Sequence, residues 1–131
     1  MDIRHINEEY ACIGQELIDT DPCLKYILDS EVSIVYLSSD AEKMQGGKAV
    51  FGQCEKIPDK YRWAIPCDFT ITVFEPNIER FTEQQLRILL LHELLHIGIE
   101  KDGGEEVYRI VPHDFEDFRT IIDRYGLNWD E

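Results

Sequence analysis

Five consecutive residues, His92-Glu93-Leu94-Leu95-His96, carry the most legible chemistry in this chain. On a helix, side chains four positions apart share one face, so this spacing sets both imidazoles where a single ion can take a nitrogen from each. Glu93 follows His92 by about 100° of helical rotation. That is near enough to exchange a proton with water on the ion without ligating it. Neutral imidazole suits zinc, and three protein ligands leave one coordination position for water, whose pKa the metal lowers toward neutrality. Glu93 would then act as general base and hand the proton on to a leaving amine. Two imidazoles and a carboxylate on a leucine-rich helix cost roughly several kcal/mol to bury without partners, and a metal supplies them.

A third ligand is expected from the later segment Val111-Pro112-His113-Asp114-Phe115-Glu116-Asp117-Phe118. His113 is favoured because imidazole is the better zinc donor; Glu116, one turn further on, is the rival. Asp114 or Asp117 could orient an imidazole by accepting its second N–H. His5 lies in a polar amino-terminal stretch and reads as a solvated side chain.

Local patterns show which elements must position these groups. Thr82-Glu83-Gln84-Gln85 has the form of a capping box and starts the helix that carries the motif. Its apolar residues, Leu86, Ile88 to Leu91, Leu94, Leu95 and Ile97, cover nearly every side, which predicts a central, buried helix. Ile3, Ile6, Tyr10, Ile13 and Leu17 predict an amino-terminal helix, stopped by Thr20-Asp21-Pro22. Asp21 and Pro22 then open a short helix with Leu24, Ile27 and Leu28. Residues 32–37, 48–54 and 68–75 read as strands, with Gly46-Gly47 turning into the second. Gly103-Gly104 lets the chain double back, and Phe115, Phe118, Ile121, Ile122 and Tyr125 predict a closing helix. The expected fold is α+β, one domain over residues 1–131, with a small twisted mixed sheet between these helices.

Charge narrows the function classes. The chain has 13 Lys and Arg against 27 Asp and Glu, a net −14, with 44% hydrophobic residues. It is a folding sequence, but one poorly suited to gripping nucleic-acid phosphates or an anionic membrane. No apolar leader or spanning segment is visible, and Cys12, Cys23, Cys54 and Cys67 lack metal-site spacing. They read as reduced, packed thiols of a cytoplasmic protein. Residues 100–131 hold ten acidic and four basic side chains, which leads to the expectation of basic peptide or protein substrates.

The HELLHI core of His92 to Ile97 and the HDFEDF run of His113 to Phe118 resemble zincin-type metallopeptidases, and more closely a metallopeptidase family of phages and prophages. A more distant similarity is to SprT-like minimal zincins. The resemblance implies one zinc ion on His92, His96 and His113, with Glu93 as the catalytic residue. Ile99 and Asp102 stand where a metzincin needs Gly and His, which excludes that class; a gluzincin would use a later glutamate, which keeps Glu116 in view. No zinc ribbon follows, unlike many SprT-like proteins. Zincins pair an extended substrate with an edge strand, and Asp68 to Glu75 is the segment expected to do so. Tyr108 or Arg109 is considered for the oxyanion, while Trp63 and Trp129 are expected to be core or rim anchors. A reading from another class is a non-catalytic, metal-containing acidic interaction protein, either a phage effector or a nucleic-acid mimic.

Overall fold

The computed structural model describes residues 2–113, 118–126 and 128–130. The first element is β1 (Arg4–Ile6), followed by α1 (Glu8–Thr20). Asn7 caps α1 by accepting the backbone N–H of Tyr10 at 3.0 Å, and Glu8 and Glu9 sit where the helix dipole favours acids. The helix therefore begins later than the expected stripe. Ile3 and Ile6 lie outside it and are exposed, because this stretch pairs along a sheet edge instead of packing inward. From Tyr10 onward the periodicity holds, and Tyr10, Gly14, Leu17 and Ile18 are buried.

Asp21 caps a 3-10 turn, Pro22–Leu24, by accepting the N–H of Cys23. The short α2 (Lys25–Leu28) then buries Ile27 but leaves Leu28 exposed. Next come β2 (Ile34–Ser39), the hairpin β3 (Met44–Gln45) and β4 (Lys48–Ala49), β5 (Gly52–Lys56) and β6 (Phe69–Phe74). The expected strand over 48–54 is thus broken at Val50 and Phe51 and resumes as β5.

The main sheet has the order β1-β2-β6-β5, with β2 and β6 parallel and the other pairs antiparallel. The segment expected at the edge, β6, is therefore interior: β2 covers one side and β5 the other. Its sequence is consistent with this, since Phe69, Ile71 and Val73 join the core while Thr72 and Phe74 on the other face are also buried. Arg4 covers that second face, donating to Thr72 Oγ1 at 3.0 Å and lying over the Phe74 ring.

The capping box starts α3 (Glu83–Leu95): Gln85 N–H donates to Thr82 Oγ1 at 3.1 Å, and Thr82 N–H donates to Gln85 Oε1 at 2.8 Å. Ile88 to Leu91 and Leu94 pack against α1 and the Phe69, Ile71 and Val73 face of the sheet. The helix ends at Leu95, so Ile97 belongs not to it but to β7 (Ile97–Asp102). Gly103 and Gly104, at φ 61° and 89°, turn β7 into the antiparallel β8 (Glu105–Ile110). The chain closes with α4 (Arg119–Tyr125), which packs through Phe118 at its N-cap and the fully buried Ile121. This is an α+β architecture with its helices gathered on one face of a small mixed sheet. Among the described residues, no helix is long and apolar enough to cross a membrane.

Candidate metal centre

Helical geometry and a hairpin return together assemble the site. His92 lies in the last turn of α3 and His96 is its C-cap, still in αR conformation, so their rings face each other with centroids 5.1 Å apart. The β7–β8 hairpin then carries the chain back beside His96. Val111 N–H donates to the His96 carbonyl at 2.7 Å, extending the ladder by one position. His113, two residues on, places Nε2 2.8 Å from His92 Nε2 and 2.9 Å from His96 Nε2.

The proton inventory of this cluster favours a cation. His96 Nδ1 lies 2.6 Å from the Val111 carbonyl, which can only accept, so Nδ1 carries the proton and Nε2 keeps its lone pair. A single N–H on His113 Nε2 cannot serve both neighbours. A tetrahedral ion with zinc–nitrogen bonds of about 2.0 to 2.1 Å separates its ligand nitrogens by roughly 3.3 Å. His113 Nε2 need move away from each of the other two nitrogens by only about half an ångström to accept one. His92, His96 and His113 form a group that could hold a metal ion, and the Val111 carbonyl is the outer partner that orients one of them. Phe118 walls the cluster, its ring centroid 5.3, 4.9 and 5.1 Å from those of His92, His96 and His113. His92 and His96 are half-buried while His113 is exposed, which leaves an approach from solvent.

Glu93 is buried at 3% exposure, with Oε2 4.0 Å from His92 Nε2. Against it lies β5. A Cβ placed on Gly52 would meet Glu93 Oε2 at 3.0 Å, closer than nearly all real contacts of that kind. Cys54, two residues along the same strand, has its thiol pushed up, first by burial and then by the negative charges of Glu93 and Glu55. It stays a protonated, packed thiol. All four cysteines are free, and Cys67 is buried. An open cavity of about 280 Å³ runs between β5 and Ile110, with His92, Glu93, His96 and His113 among its lining residues.

The structure brings His92, Glu93, His96 and His113 together. Glu116, Asp114, Asp117 and Phe115 lie outside the described residues. His5, on β1, faces Asp40 on the exposed surface and has no part in the cluster. Tyr108 donates to Glu106 at 2.6 Å and packs on Phe69, while Arg109 pairs with Glu100 at 3.0 Å; neither lines the cavity. Trp129 packs on Phe81 as an anchor, but Trp63 is 86% exposed and anchors nothing in the core. Sequence reasoning missed the β5 wall. A glycine inside a strand pattern, here Gly52, marks close approach by another group and was the available signal.

An α+β domain that converges three imidazoles beside a buried glutamate has the donor set of a mononuclear metal site. The chain belongs to the phage metallopeptidase family: the family model described as "Putative phage metallopeptidase" matches residues 4–131. No curated protein and no solved structure matches the chain.

Proposed function

We propose that this protein is a zinc-dependent peptidase whose centre is His92, His96 and His113 and whose general base and acid is Glu93. The observation that carries the reading is the convergence of three imidazole nitrogens beside a carboxylate that is buried yet borders an open cavity. Zinc held there supplies a Lewis acid that brings the pKa of water near neutrality. The chain's own residues do the rest. His96 is held in its ligating tautomer by the Val111 carbonyl. Glu93 takes a proton from the water that adds to the scissile carbonyl carbon and returns it to the amine nitrogen as the C–N bond breaks.

The free edge beside the site belongs to β5, and it replaces β6 as the candidate strand for holding substrate. Phe74 N–H donates to the Phe51 carbonyl, and Ile57 N–H donates to that of Asp68. In an antiparallel ladder such pairs alternate. Gly52, Cys54 and Lys56 therefore turn their backbone groups away from β6, toward an edge with which no strand among the described residues pairs. An extended peptide added there would run past Glu93, using the pairing mode of β-augmentation.

Metal analysis of protein purified without added metal, combined with peptide hydrolysis by the wild type and Glu93→Gln, tests the reading. We expect near-stoichiometric zinc in both proteins and a loss of turnover of about 10²- to 10⁴-fold in the variant. His113→Ala should lose the metal. Absence of zinc from the wild type, or hydrolysis by Glu93→Gln at the wild-type rate, would refute it.

A further inference from the structure

The basic residues of this acidic protein are unevenly placed. Residues 43–62 hold Lys43, Lys48, Lys56, Lys60 and Arg62 against Glu55 and Asp59, a local +3, while the rest of the chain has eight basic residues against twenty-five acidic ones. That stretch comprises β5 and its two flanks. The β3–β4 hairpin precedes it, with Lys43 lining the cavity that holds the histidines and donating to Gln53 at 2.9 Å. The connection to β6 follows it, with Lys56 at the strand's end and Lys60 over the ring of Tyr61.

The same two flanks expose large apolar side chains. Trp63 is 86% exposed, Met44 58%, Tyr61 47% and Ile65 41%. An exposed indole beside cations is the kind of side chain that anchors recognition surfaces. From Gly52, beside Glu93, to Lys56 is roughly 13 Å along the strand at about 3.3 Å per residue. A peptide lying on this edge therefore reaches Lys56, where the connection bearing Tyr61 and Trp63 begins, about four residues from a bond held beside Gly52.

We propose that the β5 edge selects extended peptide segments bearing acidic side chains, with an apolar or aromatic residue where the segment passes Lys56 and meets Trp63. The proposal rests on the peptidase reading and specifies its substrate class. It replaces the expectation of basic substrates, which counted the acidity of residues 100–131, whereas the strand that borders the site lies in the basic stretch. The β7–β8 hairpin across the cavity is acidic; Glu100 is paired with Arg109, and Tyr108 and the backbone N–H of Glu31 hold the Glu106 carboxylate. In the basic stretch Lys56 pairs with Asp59 and Arg62 with Asp68, so among the described residues Lys43, Lys48 and Lys60 are the cations there without an ion pair.

The test uses the full metal-loaded chain and two short peptides identical except that the glutamates of one are lysines in the other. We expect kcat/KM to favour the acidic peptide by about tenfold at low ionic strength, with the gap closing as salt shortens the screening length. Lys48→Glu and Lys60→Glu should each lower kcat/KM for the acidic peptide about two- to fivefold. Trp63→Ala should raise KM roughly fivefold and leave kcat unchanged. Equal or better cleavage of the lysine peptide, or no effect of the two charge reversals, overturns the proposal. Binding of the labelled acidic peptide to Glu93→Gln, followed by fluorescence anisotropy, separates the two readings. Lysine-dependent binding without cleavage by the wild type would sustain the recognition surface and defeat the peptidase reading. Absence of binding, or tighter binding of an oligothymidylate at the same ionic strength, defeats the surface as a peptide site.

Discussion

Replacing Gly52 by alanine would put a methyl carbon 3.0 Å from Glu93 Oε2, 3.2 Å from Cγ and 3.3 Å from Cδ. Those three atoms are its nearest neighbours, so the strain falls first on the proposed general base. Glu93 is 3% exposed and borders the open cavity, so it gives way by a few tenths of an ångström. Overpacking of this kind costs about 1 to 3 kcal/mol, and a single methyl against a side chain with three torsions belongs at the low end, near 1 kcal/mol. Turnover should suffer more than folding. Displacing a reacting group by about 1 Å can cost 10²-fold, so a shift of about half that predicts a loss of roughly tenfold in kcat. Urea unfolding of the wild type, Gly52→Ala, Glu93→Ala and the double variant forms a cycle that isolates the contact. The methyl should cost about 1 kcal/mol beside Glu93 and nothing, or less than nothing, once Glu93 is trimmed. Zinc content should not change. Equal destabilisation in both backgrounds, or an unaltered kcat in Gly52→Ala, would refute the assignment of this close approach to the base.

Two further predictions concern the frame around the site. The Tyr36 hydroxyl is buried without a hydrogen-bond partner among the described residues, and its ring packs against Gly14 of α1. Tyr36→Phe should therefore be neutral or stabilising by up to about 1 kcal/mol in thermal unfolding, whereas Gly14→Ala should be strongly destabilising. Arg124, near the end of α4, donates to both carboxylate oxygens of Asp21, at 2.7 and 3.1 Å. That guanidinium, helped by the backbone N–H of Cys23, holds the Asp21 carboxyl below the usual range. A depressed carboxyl stabilises the fold fully above its ordinary value and loses that contribution as pH falls through its lower folded value. Arg124→Ala should cost about 1 kcal/mol near neutral pH and flatten the loss of stability on acidification, measured by denaturant unfolding between neutral and acidic pH.

Features that depend on near neighbours along the chain are legible in the amino-acid sequence itself. The capping box at Thr82 and Gln85, the i, i+4 imidazoles of His92 and His96, and the Asp21-Pro22 start all use interactions within one turn, and each appears where the spacing placed it. Boundaries are harder to read. Ile6 continues a helical period but belongs to β1, and Ile97 continues another but belongs to β7, because pairing with a distant strand outweighs local periodicity.

The residue types and spacing of this chain are enough to single out His92, Glu93, His96 and His113 as candidate groups, with Glu116 as the rival to His113. Tertiary structure alone decides how they meet and what lies beside them. His113 reaches the other two rings only because a hairpin turned by Gly103 and Gly104 returns Val111 to His96. The sheet edge beside the site is β5 and not β6, since alternation along a strand reports which faces are buried but not which neighbours flank it. Gly52 against Glu93 joins residues forty-one positions apart. Such a contact is set by strand order and helix docking, which no local pattern encodes.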